Sequence, residues 1–459
     1  MSRAPNIVFM LHDNVGFGDP GCYGGGILRG APTPRIDEMA ENGVRFTNFT
    51  VESQCTPTRS AMLTGRLPVR SGTSIITPPG HVYGLAPWEY TLANLMSDSD
   101  YQTALFGKWH LGDNEGRFPT NQGFDEWFGF PNSSDETLYH NAVGFDPSIA
   151  RVPHLWEGSK GEPCREVEPY TLENRPLMDE MITDRGVDYI GQHSDDDQPF
   201  FLSLWFSHPH HPVMPHPDFD GRSGNGIYAD VMMEIDHCIG RVVDAVNEAG
   251  IQEDTIIIWV SDNGPESVPP WAPAGDTGPF RGELGCVYEG AVRVPCVIQW
   301  KGQIQPGLVS NEMMCGLDLY PTLAAMVGAE DKIPTDRPID GIDQSALLLG
   351  KQEHSNRDYV YYFLQNELYA IKWKKFKIHF KDVVQAPGAT GQLQYPAYVH
   401  EPNAPRIYNI EQDPKEHYDI LLANLWMFEP IRGVVGEYFS SLKEHPNIET
   451  GEDAPGGHK

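Results

Sequence analysis

Basic side chains are scarce in this sequence. Its 459 residues hold 33 Lys and Arg against 64 Asp and Glu, a formal net charge of −31. A chain that neutralises phosphates along a nucleic acid carries the opposite balance, so that partner is excluded. Small anions are repelled at long range as well, and an anionic substrate would need local cations or a metal to hold it. Cysteine is thin too. Cys22, Cys55, Cys164, Cys238, Cys286, Cys296 and Cys315 are scattered, odd in number and never spaced as CxxC, which excludes a disulfide framework and a zinc knuckle. No apolar run is long enough to span a membrane. The opening "MSRAPNIVFML" leads into strand-like sequence without a separate apolar leader, so the expectation is a soluble, cytoplasmic protein with no membrane partner. Internal repeats and low-complexity tracts are missing. Apolar residues, by contrast, make up 40% of the chain, enough for a large core.

Short apolar runs alternate with helical patterns. "NIVFML" (6–11), "FFLSLWF" (200–206) and "TIIIWV" (255–260) suit strands buried on both faces. "TPRIDEMAENG" (33–43), "NRPLMDEMITDRGVDYIGQH" (174–193) and "YADVMMEIDHCIGRVVDAVNEAG" (228–250) have helical spacing, the last ending at Gly250. The alternation predicts an α/β fold with a mostly parallel sheet flanked by helices. A Pro-, Gly- and aromatic-rich stretch up to about residue 170 gives little local signal. Beyond about residue 355, "DYVYYFL", "LYAIKWKKFKIHF" and "RIYNI" read as neighbouring antiparallel strands, followed by a late helix. The expected division is a catalytic α/β domain over 1–350 and a smaller α+β subdomain over 351–459.

Open α/β sheets bind ligands at the carboxyl ends of their strands. "NIVFML" runs into His12, Asp13 and Asn14, and "TIIIWV" into Ser261, Asp262 and Asn263. Each pair alone reads as an Asx turn. Together, two carboxylates and two amide oxygens suit a hard divalent cation, Ca²⁺ better than Zn²⁺. In "SHPHHPVMPHP" (207–217) the prolines impose an extended chain that points the histidines in different directions, so one functional histidine among bystanders is expected rather than a zinc site. "GKWHLG" (107–112) places Lys108 and His110 two apart, on one face if the segment is extended. "CTPTRSAMLTGR" (55–66) leaves Cys55 open as metal ligand, thiolate nucleophile, core side chain or precursor of another group. A phosphatase-type thiolate loop carries Arg six positions after its Cys, and here that position is Ala61.

Taken together these fragments resemble the type I sulfatases of the alkaline phosphatase superfamily, over nearly the whole chain. "PNIVFMLHDNVGFGDPGCYGG" is similar to the family's first strand and metal loop, and "CTPTRSAMLTGR" fits the signature CxPxR followed by LTGR. "GKWHLG", "SHPHHP", "SDNG" and "YEGAVRVPCVIQW" follow in the family's order, and "RIYNIEQDPKEHYDI" resembles its C-terminal strand segment. The resemblance implies sulfuric ester hydrolysis. In it, Cys55 is oxidised by a formylglycine-generating enzyme to formylglycine, whose hydrate is the nucleophile. One Ca²⁺ would be held by Asp13, Asn14, Asp262, Asn263 and the modified residue 55. Arg59 would orient the nucleophile and Lys108 would bridge it to the sulfate. His110 would take a proton when the aldehyde reforms, and His210, two before the second proline, would be general acid to the leaving oxygen. Ser133 in "GFPNSSD" matches a sulfate-contacting serine of some relatives, with Ser134 an alternative. His208, His211 and His216 then default to packing or rim roles.

Two positions depart from the family pattern. Asn14 stands where a second aspartate is usual, which removes one anionic ligand. Leu284 in "FRGELGCVYEG" stands where a lysine usually contacts sulfate and leaving oxygen. The loss keeps a second reading in view, a phosphonate monoester or phosphodiester hydrolase with the same nucleophile. A binder of sulfated ligands without turnover is a third, opposed by the retention of Cys55, Arg59, Lys108, His110 and His210 together.

Overall fold

Ten strands form the central sheet of the computed structural model, which describes residues 4–76, 80, 83–267, 275–383 and 399–447. In chain order they are β1 (Asn6–Asp13), β2 (Val44–Phe46), β3 (Gln102–Lys108), β4 (Glu126–Phe130), β5 (His154–Ser159), β6 (Arg165–Pro169), β7 (Phe200–Pro209), β8 (Thr255–Ser261), β9 (Cys296–Gln299) and β10 (Leu308–Ser310). They lie in the order β10-β2-β9-β8-β1-β7-β3-β4-β5-β6. β1 pairs in parallel with β7 and β8, and β3 in parallel with β7 and β4. β9 runs antiparallel between β2 and β8, and β5 antiparallel between β4 and β6. The mostly parallel sheet expected from the alternation is the one that forms. Its outer strands β4, β5 and β6 come from the segment that gave little local signal.

The helices that matter to the site are α1 (Pro34–Glu41), α2 (Cys55–Thr64), α3 (Met178–His193), α4 (Ile227–Glu248), α5 (Glu289–Val292) and α6 (Phe428–Glu444). The sheet is apolar on both faces because helices cover both. Along β1, Ile7, Phe9 and Leu11 join a core with Met62 and Leu63 of α2. Val8 and Met10 point the other way, into a core with Ile182 of α3 and Ile235 and Ile239 of α4. A strand with no solvent face has no reason to alternate, which is why "NIVFML" is a continuous apolar run.

Beneath the site, β3 and β7 approach closely at Gly107, which pairs with Trp205. Its φ is +119°, and a Cβ there would stand 1.9 Å from the Trp205 carbonyl oxygen. Gly107→Ala is therefore expected to lower stability by about 1–3 kcal/mol through backbone strain alone. Urea unfolding measures this; an unchanged midpoint would mean that the two strands separate freely at this point.

A second sheet, β11 (Tyr359–Leu364), β12 (Glu367–Trp373), β13 (Phe376–His379) and β14 (Arg406–Asn409), is antiparallel throughout. Ile431 of α6 packs on Ile378 and Ile407 of this sheet. The junction with the large sheet is charged and buried. Lys372 on β12 and Lys377 on β13 each donate to the Glu289 carboxylate of α5, at 2.7 and 2.8 Å. His379 on β13 meets Glu416 at 2.6 Å, and the other Glu416 oxygen accepts the Glu289 backbone N–H at 2.8 Å.

Candidate active site

The parallel strands deliver their polar ends to one place. β1 ends at Asp13, β3 at Lys108, β7 leads into His210, and β8 into Asp262 and Asn263. Cys55 opens α2, and Arg59 follows four residues later on the same face of the helix. Pro57 falls in the first turn, where a missing N–H leaves no intrahelical bond unmade. Gly65, with φ +65°, ends the helix in the left-handed conformation. The spacing CxPxR is thus a helix start that presents a thiol and a guanidinium to the same spot.

Arg59 ties the two acidic strand ends together. Its Nη2 donates to Asp13 Oδ2 at 3.1 Å and Asp262 Oδ2 at 2.8 Å, and its Nη1 to the Lys108 carbonyl at 3.0 Å. Lys108 Nζ lies 2.5 Å from Asp13 Oδ2 and 3.2 Å from Ser133 Oγ. Ser133 Oγ in turn is 3.4 Å from His210 Nε2. Cys55 Sγ is 3.4 Å from the other Asp13 oxygen. All these side chains are buried.

Charge crowds in this space. Burial alone would raise the Asp13 carboxyl, but Lys108, His210 and Arg59 reverse that and hold it below the usual range. Burial and the Asp13 charge push Asp262 up to about 7, against Arg59. Burial, with Asp13 and Asp262 beside it, lifts the Cys55 thiol well above its ordinary value, so it is no thiolate at neutral pH. Burial and the Lys108 and Arg59 cations hold the His110 ring well below its ordinary value, in the neutral form.

His210 Nδ1 is 2.8 Å from the His211 carbonyl, an acceptor only, so this nitrogen carries the proton and Nε2 faces Ser133. Ser134 Oγ stands 3.0 Å from the same Nδ1 and also donates to the His211 carbonyl. The proline-spaced histidines separate as expected. His208 points into the core toward Asp179 and Glu234, at 3.3 and 3.6 Å. His211 Nδ1 meets Glu266 Oε1 at 2.9 Å, and the His211 N–H donates to the same oxygen. His216 is half-buried at the surface.

One expectation fails in detail. Lys108 and His110 do not share the face of an extended strand, because β3 ends at Lys108 and His110 has φ +60°. His110 is brought in instead by its backbone oxygen, which accepts from Thr56 Oγ1 of α2 at 2.9 Å. Asn14 also sits at positive φ, +74°, a conformation asparagine tolerates better than most residues. Glu266 was not singled out in the sequence, although it lies four residues past Asp262. Leu284 is buried; its N–H donates to the Pro265 carbonyl, and that of Gly285 to the Ser53 carbonyl. An apolar side chain therefore does stand between the β8 loop and the segment leading to Cys55.

The residues fit a divalent cation. The Asp13 and Asp262 carboxylates are close enough to share Arg59, and Asp262 is forced toward its neutral form by the crowding. Asn263 Nδ2 donates to Asn14 Oδ1, which leaves Asn263 Oδ1 buried with no partner among the described residues. An orphaned buried oxygen beside two crowded carboxylates is what a hard cation relieves. A carboxylate oxygen of Asp13, Cys55 Sγ and a ring nitrogen of His210 also lie within 4.8 Å of one another.

Residues 5–329 match the sulfatase family, and residues 355–450 match the C-terminal region of aryl-sulfatase. Arylsulfatase A of Homo sapiens is 34% identical over 465 residues, covering 97% of this chain and 87% of that protein. Steryl-sulfatase of Mus musculus is 32% identical, covering 90% of this chain and 78% of that protein. Among solved structures, the PsFucS1 sulfatase from Pseudoalteromonas sp. superposes with a TM-score of 0.90 at 33% identity, over 98% of this chain and 92% of the other.

Proposed function

Because the chain belongs to the sulfatase family, we propose that it cleaves a sulfate monoester to an alcohol and inorganic sulfate, with a formylglycine made from Cys55 and with Ca²⁺ held by Asp13, Asn14, Asp262 and Asn263. One observation carries this reading: Lys108, Ser133 and His210 form a continuous contact chain from Asp13, beside Cys55. When present, the modified residue supplies an oxygen nucleophile, and the cation supplies charge that favours its deprotonated form.

The chain's own side chains do the rest. Lys108 Nζ and Ser133 Oγ hold sulfate oxygens and offset their charge, which an acidic protein must do locally. Arg59 fixes the two carboxylates in place. A poor leaving alcohol departs only if protonated, and His210 Nε2, with its ring held by the His211 carbonyl, is placed to give that proton. His110, neutral in its buried setting, is suited to accept one. The same reading divides the chain into a catalytic unit over 1–350 and a subdomain over 351–459.

Leu284 favours one alternative, hydrolysis of a phosphonate monoester or phosphodiester, because a sulfate-contacting lysine is replaced by an apolar wall. Protein co-produced with a formylglycine-generating enzyme decides between them, assayed on 4-nitrophenyl sulfate and on bis(4-nitrophenyl) phosphate. The expected outcome is faster turnover of the sulfate, dependent on the maturation enzyme, lost with a chelator and restored by Ca²⁺. Faster turnover of the diester would select the alternative.

A further inference from the structure

Resting on the reading of this site as a sulfate-ester hydrolase, we propose that Asp135 is a specificity residue that accepts a hydrogen bond from a hydroxyl of the leaving alcohol, and that this alcohol is a sugar ring. Asp135 lies in the first turn of the helical segment Ser134–Asn141, directly after the serines that touch His210. Its side chain is half-exposed, and its carboxylate makes no hydrogen bond among the described residues. One of its oxygens lies within 4.8 Å of a ring nitrogen of His210 and of His211. A group bonded to the leaving oxygen that His210 protonates must therefore pass beside this carboxylate.

A negative charge at that place is costly to an enzyme of anions. It repels the sulfate that Lys108 and Ser133 hold, and in this chain no lysine at position 284 offsets it. The cost is offset if the alcohol brings hydroxyl donors, since a hydrogen bond to a charged acceptor is among the stronger neutral-donor contacts. An aryl or sterol alcohol offers no donor besides the ester oxygen or only remote ones. A pyranose offers hydroxyls on the carbons next to the ester. A metal at Asp135, His210 and His211 is disfavoured by the histidine rings, which stack with centroids 4.6 Å apart and planes 17–20° or so from parallel, 20° as measured, so their in-plane lone pairs do not converge.

The test compares 4-nitrophenyl sulfate with a panel of pyranose monosulfates carrying the ester at each ring position and at the exocyclic carbon. The matured wild type is expected to turn over at least one sugar sulfate. Asp135→Asn should lower kcat/KM for that sugar roughly 10- to 100-fold, the span of a lost hydrogen bond to a charged group. It should lower KM for 4-nitrophenyl sulfate, because a like charge has gone. Opposite movement of the two substrates is the result expected. A parallel fall on both, with a lower melting temperature, would mean that Asp135 only supports its helical turn, and the proposal would fail. Hydrolysis of the aryl sulfate with no sugar sulfate accepted would overturn it as well. If the matured wild type hydrolyses neither class, the sulfate-ester reading itself is overturned, and this inference with it.

Discussion

Cys55→Ala abolishes turnover of 4-nitrophenyl sulfate, by roughly ten-thousand-fold or more, and leaves the fold intact. The size follows from removing the atom that becomes the nucleophile; without it the remaining groups bind sulfate but have nothing to attack with. The fold survives because the lost group is one sulfur at a helix start, contacting a single carboxylate oxygen at 3.4 Å. Unfolding free energy should change by about 1 kcal/mol or less. Cys55→Ser should be equally inactive, since a serine hydroxyl is not a substrate equivalent to the thiol for oxidation in this setting and is itself a poor nucleophile. Mass spectrometry of the tryptic peptide containing residue 55 should show loss of sulfur and an aldehyde in active wild-type preparations. Full activity with an intact thiol would overturn the assignment. It would also contradict the electrostatics, because burial and the two aspartates keep that thiol protonated.

Glu289→Gln destabilises the protein by about 3–5 kcal/mol, the cost of leaving buried charges without their counter-ion. Glu289 is fully buried and takes Lys372 at 2.7 Å, Lys377 at 2.8 Å and Arg293 at 3.3 Å. Burial alone would raise its carboxyl, and these three cations reverse that and hold it below the usual range. The sign of the pH dependence follows. A depressed carboxyl contributes stability that is complete above the unfolded-state value, about 4.3, and is lost as pH falls through the folded value. The Gln variant should therefore show a shallower acid transition as well as a lower urea midpoint. Activity should fall with it: α5 carries Ala291, whose carbonyl accepts the Gly264 N–H next to Asn263. The double variant Glu289→Gln, Lys372→Met should recover part of the loss, because one stranded cation is gone. A single variant as stable as the wild type would show that these charges are not coupled.

Much of the site was legible because its signals are local. "NIVFML", "FFLSLWF" and "TIIIWV" are apolar without alternation, as strands covered on both faces must be, and polar residues at their ends follow from where parallel strands can bind ligands. CxPxR is local too: four residues of helix place Cys55 and Arg59 on one face. The weakly patterned stretch before residue 170 yielded no strands by inspection, since β6 is exposed along its whole length and carries no burial pattern to detect. The face shared by Lys108 and His110 was a wrong inference from an assumed extended chain, which a left-handed residue at 110 interrupts.

Composition and order thus determined the fold class, the family likeness and the identities of Asp13, Cys55, Arg59, Lys108 and Asp262. Tertiary structure alone decided which histidine of "SHPHHP" reaches Lys108 and Ser133, because all of them share one local pattern and differ only in their distant partners: His208 has Asp179 and Glu234, His211 has Glu266. It also turned Glu289 from part of a motif into the anchor of the second sheet, through lysines more than eighty residues away. Periodicity reports which face of an element is buried. Which buried charges meet across the chain depends on the packing of elements against one another, and a linear pattern holds no record of that.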